Sequence, residues 1–149
     1  MNLDLQPCTI ENLEVLRDLS IKTFFETFAS RNTPENMEAY LEQAFHIDKL
    51  RGELSDMNTS FYFLYSARKL AGYLKLNEAP SQTEINDKCS LEIERIYVAK
   101  EFQGRGLGRY LMDQTVETAV QRGKRYVWLG VWEKMKRQSG FTAEMGSIR

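Results

Sequence analysis

The sequence predicts an α/β protein, α+β in the order of its elements, on a mixed sheet, and three observations predict it. Apolar residues recur at helical spacing over the first third of the chain, at more strand-like spacing over the middle, and in a strand-helix-strand order from Leu91 to Val131. The 149 residues, 42% of them hydrophobic, fit one domain spanning 1–149 whose core needs no staples.

The first element is a short strand, because Leu3 and Leu5 alternate with polar neighbours before Pro7. Thr9 caps a helix: from Ile10 onward Leu13, Leu16, Leu19, Thr23, Phe24 and Phe28 step by threes and fours along one helix face. Thr33, Pro34 and Glu35 give the next helix a capping hydroxyl, a first-turn proline and a first-turn carboxylate. Met37, Tyr40, Leu41, Ala44 and Phe45 carry its stripe. Asp48 to Leu54 reads as a short third helix. Ser60 to Tyr65 and Leu70 to Leu76, rich in aromatic and branched residues, then form an antiparallel pair around a turn at Ser66 to Lys69 that lacks an Asn-Gly dipeptide. Asn77 to Ser90 contains Pro80, Ser81, Asn86 and Asp87 and is a surface loop, long enough to point to a role near a site. Leu91 to Val98 is a strand, and Leu107 to Arg122 a helix with the stripe Leu111, Met112, Thr115, Val116, Ala119 and Val120. Gly123 closes that helix, and Tyr126 to Val131 returns as a strand beside the previous one.

Twenty basic residues against 21 acidic ones leave a net charge of -1, so no long-range field draws the chain to nucleic acid or an anionic membrane. Any anion site must be local. No apolar stretch approaches the roughly 18 residues that span a bilayer, and Met1 to Gln6 has neither a basic nor an apolar leader region. Cys8 and Cys89 lie far apart without CxxC spacing, which fits a reduced, cytoplasmic protein. A single histidine, His46, excludes a multi-histidine metal centre and sits where a surface or core role is expected.

The segment suited to chemistry runs from Ile93 to Leu111: a strand, a connection from Ala99 to Gln103, glycines at the alternate positions 104, 106 and 108, and a helix. Amides at a helix start lack intrahelical partners, and the macrodipole adds partial positive charge there. The run Gln103, Gly104, Arg105, Gly106, Leu107, Gly108 and Arg109 therefore suits a pyrophosphate, with two arginines adding full charges. A glycine-rich turn without a ligand is the plain alternative. A dinucleotide fingerprint needs GxGxxG directly after a first strand and a Walker A loop needs Gly-Lys-Ser/Thr; neither is met.

The segment resembles motif A of the GCN5-related N-acetyltransferases (GNAT), in which Gln or Arg is followed by two residues, Gly, any residue, and Gly or Ala. Gln103, Gly106 and Gly108 hold those places. The likeness extends upstream through Leu91 to Val98 and downstream through Trp128 to Glu133, while Thr23 to Phe28 and Tyr40 to Phe45 look like the bacterial spermidine/spermine acetyltransferase branch. This resemblance implies a three-layer fold around a mostly antiparallel, splayed sheet. It implies acetyl-coenzyme A as cosubstrate, with the pantetheine arm paired to backbone at Ile96, Tyr97 and Val98 and the pyrophosphate on Gln103 to Arg109. It also implies a primary-amine acceptor, a small polyamine foremost, attacking directly in a ternary complex. Such an amine, with a pKa of about 10, must lose a proton before attack. Glu92 stands where family members often carry the carboxylate that takes it, and Glu94, on the same face of a regular strand, can share the task. Each is equally readable as a solvent-facing strand carboxylate, and Tyr97, alternating with them, is expected to pack in the core. A coenzyme A-binding domain without turnover and a protein acetyltransferase with a peptide groove are the competing readings. Glu26, Glu35, Glu38 and Glu42 on the first two helices suit a cationic small molecule.

The family continues after its fifth strand with an asparagine, a short helix and a proton-donating tyrosine before a Gly-Phe pair. Here Trp132-Glu133-Lys134 leads through Met135 to Ser139 into Gly140-Phe141 without any of the three, and Thr142 to Arg149 suffices for one more strand, not a hairpin. A truncated or rearranged family member is the expectation. Loss of the general acid slows such a reaction by on the order of a hundred- to ten-thousandfold, and a homodimer would cover the sheet edge left open.

Overall fold

A single sheet orders the described part of the chain, residues 2–129 and the strand Thr142–Glu144 of the computed structural model. The elements are β1 (Leu3–Pro7), α1 (Leu13–Phe28), α2 (Pro34–Ala44), α3 (Ile47–Ser55), β2 (Thr59–Ser66), β3 (Lys69–Asn77), β4 (Ser90–Val98), α4 (Leu107–Gln121), β5 (Tyr126–Leu129) and β6 (Thr142–Glu144). The strands lie in the order β1-β2-β3-β4-β5-β6, all neighbours antiparallel except β4 and β5, which the α4 crossover makes parallel. No helix among the described residues is long and apolar enough to cross a membrane.

The helix starts follow their local chemistry. Thr9 and Asn12 form a capping box ahead of α1, and the Thr33 hydroxyl accepts the Asn36 amide at 3.1 Å with Pro34 in the first turn of α2. His46 takes a surface role: its Nδ1 accepts the Asp48 amide at 3.2 Å and caps α3.

Three layers result. On one face α1, α2 and α3 bury Leu16, Phe24, Phe45 and Leu50 against Phe61, Phe63 and Tyr73. On the other, α4 packs Leu107 and Leu111 against Leu74, Leu76, Leu91 and Ile93. Each such side chain taken from water contributes about 1.5–3 kcal/mol. The buried row of α4 is Leu107, Leu111, Thr115 and Ala119, one residue every four, so the stripe is narrower than its sequence suggests and Val120 is 41% exposed. The β2–β3 turn is Ala67-Arg68, with φ of 49° and 70°: two left-handed residues in a two-residue hairpin, achieved without Asn-Gly.

Strand β4 is irregular where the chemistry is expected. Lys75 pairs with Arg95 but Leu76 with Ile93, so Glu94 is an extra residue, a β-bulge. The bulge reverses the alternation. Ile93, Ile96 and Val98 pack on the α4 side, while Tyr97 packs on the α1–α3 side, which it shares with Glu92 instead of alternating with it. Pairing of β4 with β5 runs from Ser90↔Tyr126 to Ile93↔Leu129, and from Glu94 to Val98 this edge of β4 has no strand partner among the described residues. Gly130 and Val131, expected to extend β5, and the stretch from Trp132 to Phe141, which departs from the family pattern, lie outside the described residues.

Candidate active site

The stretch of β4 without a second strand partner among the described residues leads through a 3-10 turn, Lys100–Phe102, into the glycine loop. Gly104 and Gly106 have φ of 79° and 78°, a conformation that costs other residues roughly 1–2 kcal/mol. Gly106 is the N-cap of α4 and has no side chain to cap it, so the first helix amides, at Leu107, Gly108 and Arg109, start without a side-chain partner. A Cβ on Gly104, Gly106 or Gly108 would meet nothing within 4 Å. Gly108 is outside the left-handed region, so neither backbone conformation nor crowding by the chain requires glycine there. Open space over a helix start is what a closely approaching anion needs. Arg105, 5.6 Å over the Phe102 ring, and Arg109 are exposed on the same turn.

Gln103 has a partner within the chain: its Nε2 donates to the Val98 carbonyl at 3.0 Å and ties the loop to the strand end. One carbonyl expected to face a ligand is therefore already engaged. Helix α1 braces the same connection, since Glu26 accepts the Lys100 amide at 2.9 Å and Lys22 pairs with Glu101 at 2.7 Å.

Glu92 is fully buried, so it is not a solvent-facing carboxylate. Its Oε1 accepts from Asn77 Nδ2 and from the Thr83 amide, each at 2.9 Å, and its Oε2 accepts from the Thr83 hydroxyl. Asn77 Nδ2 also donates to Glu94 Oε1 at 2.9 Å, so one amide joins the two carboxylates across the bulge. Glu94 keeps 21% of its side chain exposed and lies 2.7 Å from Lys75 Nζ and 3.3 Å from Arg95 Nη2. Burial pushes its pKa up, but the Arg95 and Lys75 charges together outweigh burial and hold the carboxyl below the usual glutamate range. Burial raises the Tyr97 phenol, which packs 5.8 Å from the Tyr73 ring, so it stays protonated at neutral pH.

The structure thus brings Glu92 and Glu94 together and sets Ile96, Tyr97 and Val98 on the strand that leads to the Gln103–Arg109 loop. It also recruits Thr83, Asn77, Lys75 and Glu53, which sequence reasoning did not name. Thr83 lies in the long loop, folded inward by buried Gln82, whose Nε2 donates to the Asn77 and Ser90 carbonyls. Lys75 and Asn77 did carry a signal: with Tyr73 they alternate against Leu74 and Leu76, and a lysine at an inward strand position demands counter-charges. Among the described residues no group of His, Cys, Asp and Glu is placed to hold a metal ion.

Comparison with known proteins points the same way. The Acetyltransferase (GNAT) family profile matches residues 13–146. An uncharacterized N-acetyltransferase in the pepI 3′ region of Lactobacillus delbrueckii subsp. lactis is 43% identical over 131 residues, covering 88% of this chain and 76% of that protein. A PaiA N-acetyltransferase from Thermoplasma acidophilum, solved in complex with coenzyme A, superposes with a TM-score of 0.75 at 19% identity over 97% of this chain and 92% of that one. An aminoglycoside acetyltransferase from an uncultured soil metagenomic sample, solved with sisomicin, gives 0.64 at 18% identity over 95% and 90%. At these identities the two structures share the fold.

Proposed function

The chain belongs to the acetyltransferase (GNAT) family and is an acetyl-coenzyme A-dependent N-acetyltransferase; from that premise we propose that its acceptor is a primary amine, foremost a small polyamine such as spermidine or spermine, attacking directly in a ternary complex. The observation that carries the site assignment is a continuous one. Beyond Ile93 an edge of β4 runs without a strand partner among the described residues toward a loop whose three glycines have empty space where a Cβ would stand. Backbone from Glu94 to Val98, less the Val98 carbonyl that Gln103 already holds, offers hydrogen bonds to an extended pantetheine arm, as an added strand would. The amides of Leu107, Gly108 and Arg109, with the Arg105 and Arg109 charges, offer an anion site to the pyrophosphate. The cosubstrate supplies an acetyl group activated as a thioester, which in this reading would lie beside the bulge.

Attack forms a C–N bond and breaks the C–S bond; coenzyme A departs as its thiolate and takes a proton from solvent, and the amine must shed a proton. Glu94 takes it through water, being the partly exposed member of the pair and ionised at neutral pH. Held at low pKa, it passes the proton on to solvent and is ready for the next turnover. Glu92, sealed by Thr83 and Asn77, keeps the donor amide of Asn77 aimed at Glu94. A cationic acceptor suits the exposed carboxylates Glu35, Glu38 and Glu42 along α2, whereas Glu26 is committed to the Lys100 amide. Free-thiol release from acetyl-coenzyme A, measured with spermidine, spermine, an aminoglycoside and a lysine peptide, tests the proposal. Fastest release is expected with the polyamines, and no release above background with any amine would sink it.

A further inference from the structure

We infer that Lys75 and Glu53 are positioning residues that set the charge of Glu94 in opposite senses, the lysine holding it anionic and Glu53 competing for the lysine. The inference rests on the reading that Glu94 takes the acceptor's proton. Lys75 is 3% exposed and its ammonium sits between two carboxylates, 2.7 Å from Glu94 and 3.0 Å from Glu53, 5.5 Å from the centre of the Phe61 ring. Arg95, 8% exposed and 4.7 Å over the Phe45 ring, reaches the same two carboxylates at 3.3 and 3.8 Å. Two cations and two carboxylates from α3, β3 and β4 therefore close a largely buried quartet with no net charge. In such surroundings a charge without its counter-charge is costly, so changing one member forces a response from the others.

Without Lys75, one guanidinium faces two carboxylates and Glu94 is driven toward protonation. Without the Glu53 charge, both cations serve Glu94 and it is driven the other way. Opposite shifts from two neighbouring substitutions are a signature that loss of packing does not produce. The remaining groups facing Glu94 do not confound it. Glu92 adds a carboxylate through the shared Asn77 and is untouched by either change. The phenols of Tyr40 on α2, Tyr73 on β3 and Tyr97 on β4 are raised by burial and stay neutral over the working range.

The test is a carbon-13 carboxyl titration of the full chain labelled at glutamate, with the Glu94 resonance assigned by Glu94→Gln, run beside the acid limb of the kcat/KM profile for an amine acceptor. Lys75→Met is expected to raise both the Glu94 titration and the acid limb by about one pH unit or more. Glu53→Gln should lower both, and Lys75→Arg should restore the wild-type values. If Lys75→Met does not fold, Glu53→Gln and Lys75→Arg carry the comparison. An unmoved Glu94 resonance, or shifts of the same sign in Lys75→Met and Glu53→Gln, overturns the inference and leaves the proposed reaction standing. A resonance that moves as expected over an unmoved acid limb shows that Glu94 is not the proton acceptor, and the inference falls together with that reading.

Discussion

Glu92 and Glu94 stand two positions apart and occupy different environments. The first is closed off by hydrogen bonds from Asn77 and Thr83, the second shares two cations with Glu53. A buried carboxylate that accepts several hydrogen bonds is a structural anchor as well as a chemical group. Glu92→Gln retains the shape but replaces a charged acceptor with an amide whose N–H2 faces donors, and it should lower stability by roughly 2 kcal/mol. Urea unfolding measures this, and an unchanged midpoint would remove Glu92 from the architecture of the site.

Strand β3 decides where β4 lies, and its control point is Gly72. A Cβ there would stand 2.3 Å from the Tyr97 carbonyl oxygen, a backbone atom with nowhere to go. Gly72→Ala should therefore cost roughly 2–3 kcal/mol, read as a fall of several degrees in Tm. The hairpin before it offers the opposite change: Ala67→Asn with Arg68→Gly suits two left-handed positions and should add roughly 1 kcal/mol. These elements also show what was legible in the sequence. Helices and strands announced themselves through periodicity, and the glycine loop through its spacing before a helix, because those signals are local. The bulge at Glu94 was not legible, since it depends on the partner strand's register and leaves β4 looking regular from Leu91 to Val98. Thr83 was hidden for the same reason: a loop threonine becomes a carboxylate's partner only when the loop folds back, as buried Gln82 makes it do.

At the scale of the whole molecule, helices on both faces hold a sheet in which β4 from Glu94 to Val98 has no strand partner on one side among the described residues. Several carboxylates support this structure in their ionised form. Burial opposes ionisation of Glu94 and Glu78, yet Arg95 and Lys75 in one case, and Lys124 and Arg122 in the other, hold both below the ordinary range. Because these folded-state pKa values are depressed, their stabilisation is fully present above the ordinary glutamate value of about 4.3 and is lost as pH falls through the folded values. The urea midpoint should therefore show no loss from these groups between neutral pH and about pH 5 and should drop below about pH 4. A midpoint that is flat down to about pH 2.5 would contradict the ion pairs. The central claim, that the helix start at Gly108 receives the pyrophosphate of acetyl-coenzyme A, is tested most directly by titrating coenzyme A into Gly108→Glu in a calorimeter. With nothing within 4 Å of the added Cβ and a carboxylate that suits a helix start, Tm should hold or rise while repulsion of the pyrophosphate lowers affinity about tenfold or more. Wild-type affinity in the folded variant would contradict the claim.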